Sequence, residues 1–136
     1  MLQYTSSMKK QKTKKPIPYA FVFDYLEAVQ PYTKAMFGCT AIYVGEKIVL
    51  ILRDRADYKP DNGVWLATIQ EHHSSLKKDF PSMRSLEMFG AGPTGWQVLS
   101  KDAGDFEESL IKVCKLLCKN DPRIGNQFMH QNTMCT

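Results

Sequence analysis

The chain has 136 residues and a mass of 15.6 kDa, which is enough for one domain with one hydrophobic core. Hydrophobic residues make up 43% and charged residues 24% of the sequence, which excludes the apolar-poor, highly charged composition of a disordered chain. No apolar run approaches the roughly 20 residues of a membrane span, and the first residues lack the apolar stretch of a signal peptide. We therefore expect a cytoplasmic protein with no membrane contact.

The formal net charge of +4 is unevenly distributed along the chain. Of the 18 basic residues, five lie in residues 1–15 without any acid, which leaves 13 against all 14 acidic residues and a net charge of −1 for the remainder. The five are Lys9, Lys10, Lys12, Lys14 and Lys15. Residues 1–17 are therefore predicted to form a flexible basic arm, which serves either as a solubilising segment or as a contact to a polyanion such as nucleic acid.

The first predicted elements are a helix and a hairpin. Apolar residues at positions 19, 22, 23, 26 and 29 predict a helix over residues 19–29 that ends before Pro31. A strand over residues 35–44, the pair Gly45-Glu46 and a strand over residues 47–52 predict a hairpin with a type II′ turn. The unbroken apolar run from Ile48 to Leu52 predicts a central strand covered on both faces.

The second half of the chain predicts three more strands and two more helices. A polar turn over residues 53–63 comes first. The three strands cover residues 64–69, 84–89 and 95–100, and the last two of these form a hairpin. The helices are a short helix or turn over 71–80 and a helix from Asp105 to Cys118 or Lys119. The order predicts an α+β fold: a single two-layer domain over residues 18–125, with an antiparallel sheet of about five strands. Helices at the N- and C-terminal ends are expected to cover one face of the sheet, and residues 126–136 are predicted to be a tail.

The cysteines predict packing rather than chemistry. Cys39, Cys114, Cys118 and Cys135 form no CxxC pair, so we expect no disulfide. Cys114 and Cys118 stand four residues apart in the last helix, a spacing that could bind a metal. The apolar side of that helix favours the alternative that both are core residues, and we therefore predict no metal site.

Other candidate sites are equally generic. His72-His73 is the only histidine pair, and with Glu71, Ser74, Ser75 and Asp79 nearby it could supply a general base, although solvent-facing histidines are the simpler interpretation. Trp65 and Trp96 are predicted core anchors rather than ligand-stacking platforms. The glycine-rich stretch around residues 90–95 lacks a phosphate-loop lysine and leads into a strand, which indicates a turn. We predict no catalytic residue and no cofactor.

Two parts of the sequence resemble a known family. Met36-Phe37-Gly38, the small apolar strand that follows and the turn at Gly45 resemble the MFGG…YxxGK opening of the TfoX N-terminal domain. Trp96 in its strand and the helix over residues 105–119 are similar to the closing elements shared by the TfoX N-terminal and YjbR-like families. The sequence departs from the family pattern at Cys39, where a second glycine is usual, and in the longer loop over residues 53–62.

The resemblance implies a small bacterial α+β domain without known catalytic residues, linked to competence regulation. The expected function is a non-enzymatic regulatory or interaction domain that binds a protein partner or a second copy of itself. One alternative is a YjbR-like nucleic-acid-binding protein that uses the lysine-rich arm, with weak, sequence-independent and salt-dependent affinity. A second alternative is a small enzyme with a site near His72 and His73.

Overall fold

The structure, a computed structural model, describes residues 16–88 and 95–126. Its centre is a six-stranded antiparallel sheet with the strand order β1-β2-β3-β4-β6-β5. The strands are β1 (Tyr32–Met36), β2 (Cys39–Val44), β3 (Lys47–Arg53), β4 (Gly63–Ala67), β5 (Arg84–Ser85) and β6 (Trp96–Ser100). The α+β class, the single domain and the antiparallel sheet predicted from the sequence are confirmed.

The sixth strand arises because the predicted strand over residues 35–44 is two strands, β1 and β2, joined by the two-residue turn Phe37-Gly38. Both turn residues have positive φ, 54° and 76°, as a type I′ turn requires. Sequence reasoning missed this turn because phenylalanine rarely occupies the left-handed region. The predicted Gly45-Glu46 turn joins β2 to β3, and Gly45 alone has positive φ, the pattern of a type II′ turn.

The predicted helix over residues 19–29 is wrong as a single helix. The segment forms two 3-10 helices, Ala20–Tyr25 and Glu27–Val29, separated by Leu26 with φ −112°. Tyr19 and Gln30, at the two ends of the segment, have positive φ, so a continuous α-helix cannot extend through either boundary. The α-helices are α1 (His73–Asp79) and α2 (Phe106–Cys118); further 3-10 turns span Lys59–Asp61 and Gln70–His72.

Both faces of the sheet carry buried apolar residues, in two separate clusters. On one face, Leu110 and Val113 of α2 and Val22 of the first 3-10 helix belong to the same cluster as Leu50 and Leu66 of the sheet. The other face carries a second cluster; its sheet residues are Ala41, Tyr43, Ile48, Ile51, Trp65, Ala67 and Val98. The prediction that β3 is covered on both faces is confirmed, since every residue from Ile48 to Arg53 is buried.

The last helix has the predicted extent, but its two cysteines differ in burial. Cys114 is buried, and burial raises the pKa of its thiol to about 12, so the prediction of a core residue is confirmed. Cys118 is exposed, and its thiol donates to the carbonyl oxygen of Tyr25 at 3.3 Å. The core prediction is wrong for Cys118: it lies on the same face as Cys114, but it is the last residue of the helix, where the side chain is open to water although it still reaches the first 3-10 helix.

Both predicted terminal segments lie mostly outside the described residues. Residues 1–15, which contain the five lysines, are among these, as are residues 127–136 of the tail and residues 89–94 of the second predicted hairpin. Gly125 donates its N–H to Ala67 at 2.7 Å, and Asn126 bridges to Ile48, so the chain still contacts the sheet at residue 126. Within residues 16–88 and 95–126, no helix is long and apolar enough to cross a membrane.

Candidate functional site

A cavity of about 340 Å³ opens on the sheet face that carries the second cluster. Its apolar wall comes from the β1–β2 hairpin, the neighbouring strands and the segment after β5. These residues are Met36, Phe37, Ile51, Trp65, Met88 and Trp96. Its polar wall consists of Cys39, Arg53, Arg55 and Asp57. An apolar cavity of this size with a few polar groups has the character of a small-ligand site.

The two tryptophans form the aromatic part of the wall. Their ring centroids lie 6.0 Å apart with an interplanar angle of 59°, because Trp65 of β4 and Trp96 of β6 occupy diagonal positions on paired strands. Trp65 Nε1 donates to the carbonyl oxygen of Asp61 at 2.9 Å, which fixes the indole ring. Trp65 is a buried core anchor as predicted, whereas Trp96 is half-buried; both line the cavity.

The polar wall is built by the loop between β3 and β4. Arg53 ends the apolar run of β3 and is only 1% exposed. Its guanidinium donates to the carbonyl oxygens of Asp57 (2.9 Å) and Tyr58 (3.1 Å) and to Asn62 Oδ1 (2.7 Å). Asn62 also pairs with the backbone N–H and C=O of Arg55 at 2.9 and 2.8 Å. A buried charge is tolerated when it is hydrogen-bonded in this way, so the loop is held by side chains rather than by strand pairing.

Asp61 joins this loop to the segment after β5. Its carboxylate is fully buried and accepts hydrogen bonds from Arg84 Nη1 (3.1 Å) and from the backbone N–H groups of Glu87 (3.0 Å) and Met88 (2.8 Å). Arg84 Nη2 also donates to the carbonyl oxygen of Pro60. Asp61 therefore positions two cavity residues at once, Met88 through its carboxylate and Trp65 through its carbonyl oxygen.

The Cys39 thiol faces the cavity but has no sign of activation. Burial raises its pKa, and the nearby Arg53 and Arg55 guanidiniums only partly oppose this effect. A thiol with a raised pKa is a poor nucleophile at neutral pH. We therefore treat Cys39 as part of the wall.

Phe37 lies at the edge of the cavity, exposed to water and in a backbone conformation that phenylalanine rarely adopts. Its side chain is 81% exposed, the highest value among the large hydrophobic residues that the structure describes. Its φ of 54° puts a bulky side chain in the left-handed region, where a β-carbon is strained. Strain of this kind concentrates at ligand-binding and active sites, so the placement of Phe37 points to binding rather than to packing.

Replacing Phe37 with asparagine is expected to stabilise the fold by about 1 kcal/mol, because Asn-Gly is a preferred type I′ dipeptide and little buried surface is lost. Equilibrium urea unfolding measures the change. Phe37→Ala is the matched control: it removes the same ring but keeps a strained β-carbon, so its stability should stay within about 0.5 kcal/mol of the wild type. Equal stabilities for the two variants would contradict the strain at Phe37.

The structure gathers most of the residues that carry the family resemblance. Met36, Phe37 and Trp96 line the cavity, and the carbonyl oxygen of Gly38 accepts a long hydrogen bond of 3.4 Å from Arg55 Nη1. A β-carbon at Gly38 would lie 1.8 Å from that nitrogen, so glycine allows Arg55 to cross the hairpin. Gly45 lies at the β2–β3 turn and does not line the cavity.

The histidine pair lies elsewhere. His72 and His73 are half-buried rather than solvent-facing as predicted; a hydrogen bond to the backbone of Gly95 holds the His73 side chain against the fold. Burial lowers the pKa of His73, and its Nε2 is buried without a hydrogen-bond partner in the described residues. Neither histidine lines the cavity. Nor does the described part of the chain hold a cluster of three His, Cys, Asp or Glu side chains fit to bind a metal.

Sequence reasoning missed Arg53, Asp61 and Asn62 because it interpreted residues 53–63 as a polar turn. One signal was present: Arg53 directly continues an apolar run that was predicted to be buried, and a buried arginine requires acceptors close by. The Asp61-Asn62 pair supplies them, although the same dipeptide before Gly63 is also typical of a solvent-exposed turn.

Comparisons with known proteins leave the chain without identified relatives. No family model matches it, and searches of curated proteins and of solved structures find no significant match. The resemblance to the TfoX N-terminal and YjbR-like families therefore stays a prediction from the residues alone.

Proposed function

We propose that the chain is a non-catalytic binding module whose cavity accepts a small apolar, aromatic group. The observation that carries this proposal is the aromatic cavity with Phe37 on its rim, exposed in a strained turn. The wall supplies apolar contact area from two indole rings and two thioethers, which suits recognition of a flat ring. Burial raises the pKa of the Cys39 thiol in this wall, which makes it a poor nucleophile at neutral pH.

A binding module of this kind fits the regulatory or interaction role expected from the TfoX-like resemblance. In that role, a ligand in the cavity would alter a surface that binds a protein partner or a second copy of the chain. This binding would take place in the cytoplasm. The two alternatives gain no support from the described residues. The five lysines lie outside those residues, and His72 and His73 do not line the cavity.

A neutral aromatic probe tests the proposal. We expect 2-naphthamide to bind the full chain and to shift the indole N–H signals of Trp65 and Trp96 in NMR spectra. Cys39→Leu adds a branched apolar group to the wall of the cavity and should lower the affinity for the probe about tenfold or more, because the larger side chain occupies space that the ring of the probe needs.

Cys118→Leu is the matched control, since the same substitution is then made at an exposed position on α2. It should leave the affinity for 2-naphthamide unchanged. Absence of binding to the wild type, or an equal affinity for the wild type and the Cys39→Leu variant, would contradict the proposed function.

A further inference from the structure

The charges around the cavity favour a ligand of one sign. Arg53, Arg55 and Asp57 are the charged residues among its described lining, two guanidiniums against one carboxylate. The nearby acids are engaged elsewhere: Asp61 binds Arg84 at 3.1 Å, and Asp54 binds Lys101 at 3.2 Å. The polar wall therefore carries a net positive charge, which attracts an anion.

The two arginines differ in what they can offer a ligand. Arg53 is buried, and its two Nη groups already donate to Asp57, Tyr58 and Asn62. Arg55 is 41% exposed; its Nε donates to Asp57 Oδ1 at 3.2 Å, and its Nη1 makes only the long contact to Gly38. Among the described residues, Arg55 Nη2 has no partner. Arg55 can therefore turn donors towards a ligand at little cost, whereas Arg53 cannot.

The apolar wall restricts the size and shape of the uncharged part of the ligand. A volume of about 340 Å³ lies at the small end of the range for ligand pockets, roughly 300–1,000 Å³. Trp65 and Trp96, whose rings contact each other, and Met88 line that space. These groups suit a flat ring system of one or two rings, with its charged end directed to the rim where Arg55 lies.

Building on the proposed function, we propose that the cavity binds a small aromatic carboxylate, with the ring packed against the wall that the two tryptophans form and the carboxylate on the guanidinium of Arg55. A guanidinium binds a carboxylate through two parallel hydrogen bonds, which a neutral amide of the same shape cannot reproduce. Arg55 is thus the residue that determines specificity, and the aromatic wall supplies the contact area.

The test compares 2-naphthoate with 2-naphthamide, which share a ring and a shape but differ in charge. With the wild-type full chain at pH 7, 2-naphthoate should bind about tenfold more tightly than 2-naphthamide, because charge-assisted hydrogen bonds are the stronger ones. In the Arg55→Gln variant this preference, taken as the ratio of the two dissociation constants of that variant, should fall to about threefold or less. Arg55→Lys, which keeps the charge but loses the fork, should give an intermediate preference.

Lys115→Gln is the control for overall charge, because it removes one positive charge from the exposed side of α2, away from the cavity; it should retain the full preference for 2-naphthoate. Equal affinity of the wild type for the two probes, or an unchanged preference in Arg55→Gln, would overturn the assignment of a carboxylate ligand while leaving a binding module in place. Failure of both probes to bind would overturn the proposed function as well.

Discussion

Replacing Asp61 with alanine is expected to lower the free energy of unfolding by about 3–5 kcal/mol, the range for removing one partner of a buried charged network. The carboxylate is fully buried and accepts from Arg84, Glu87 and Met88. Most of the loss comes from the two backbone N–H groups left without an acceptor. The contribution of Arg84 is smaller because its side chain is 32% exposed to water.

Equilibrium urea unfolding measures this change, and the melting temperature should fall on the order of 10 °C. Asp54→Ala is the matched control, because Asp54 pairs with Lys101 at 3.2 Å and both side chains are well exposed. It should cost less than about 1 kcal/mol. If the two substitutions had similar effects, the structural role assigned to Asp61 would be wrong.

The second large effect is expected at Arg53. Arg53→Leu places an apolar side chain in β3 and removes the donors to Asp57, Tyr58 and Asn62. Their acceptor oxygens would then lie beside an apolar side chain, and we expect the free energy of unfolding to fall by about 2–4 kcal/mol. Because Asn62 also holds the backbone of Arg55, the loop over residues 54–62 should lose its protection from hydrogen exchange.

Arg55→Leu is the control for stability at Arg53, since it removes the same group two residues away. Arg55 is 41% exposed and pairs with Asp57, which is 57% exposed, so its loss should cost less than about 1 kcal/mol. Hydrogen exchange of the loop amides, together with urea unfolding, separates the two variants. A stable Arg53→Leu protein with a protected loop would show that strand pairing, rather than the guanidinium, holds the loop.

These two predictions share a consequence for the cavity. Asp61 positions Met88 and Trp65, and Arg53 holds the loop that carries Arg55 and Asp57. Milder variants of either residue that still fold should therefore bind an aromatic probe less tightly. The stability of the loop and the geometry of the cavity depend on the same few buried polar groups.

Several elements were predictable from the sequence because their signals are local. The unbroken apolar run of residues 48–52 predicted a strand covered on both faces, and the structure confirms it. Gly45 predicted the β2–β3 turn, and the apolar stripe of the last helix predicted the burial of Cys114. Each inference needed only residues that lie within one turn or one strand of each other.

Other predictions were wrong because the local sequence signal was ambiguous. The spacing of apolar residues over 19–29 suits an α-helix, yet the backbone leaves helical geometry at Leu26, and the segment forms two 3-10 helices. Phe37 sits within an apolar run, so nothing marked it as a turn residue, although the chain reverses there between β1 and β2. Exposure of Cys118 was also missed, since a helix stripe defines a face but not its edge.

The sequence by itself determined the α+β class, the central strand and the core of the last helix, because hydrophobic periodicity within each element decides which face is buried. Only the tertiary structure decided the cavity. Asp61 and Met88 are 27 residues apart in the chain, and Trp65 and Trp96 meet only because β4 pairs with β6. A polar residue in a loop is ordinarily solvated, so the burial of Arg53, Asp61 and Asn62 depends on partners that long-range packing brings to them.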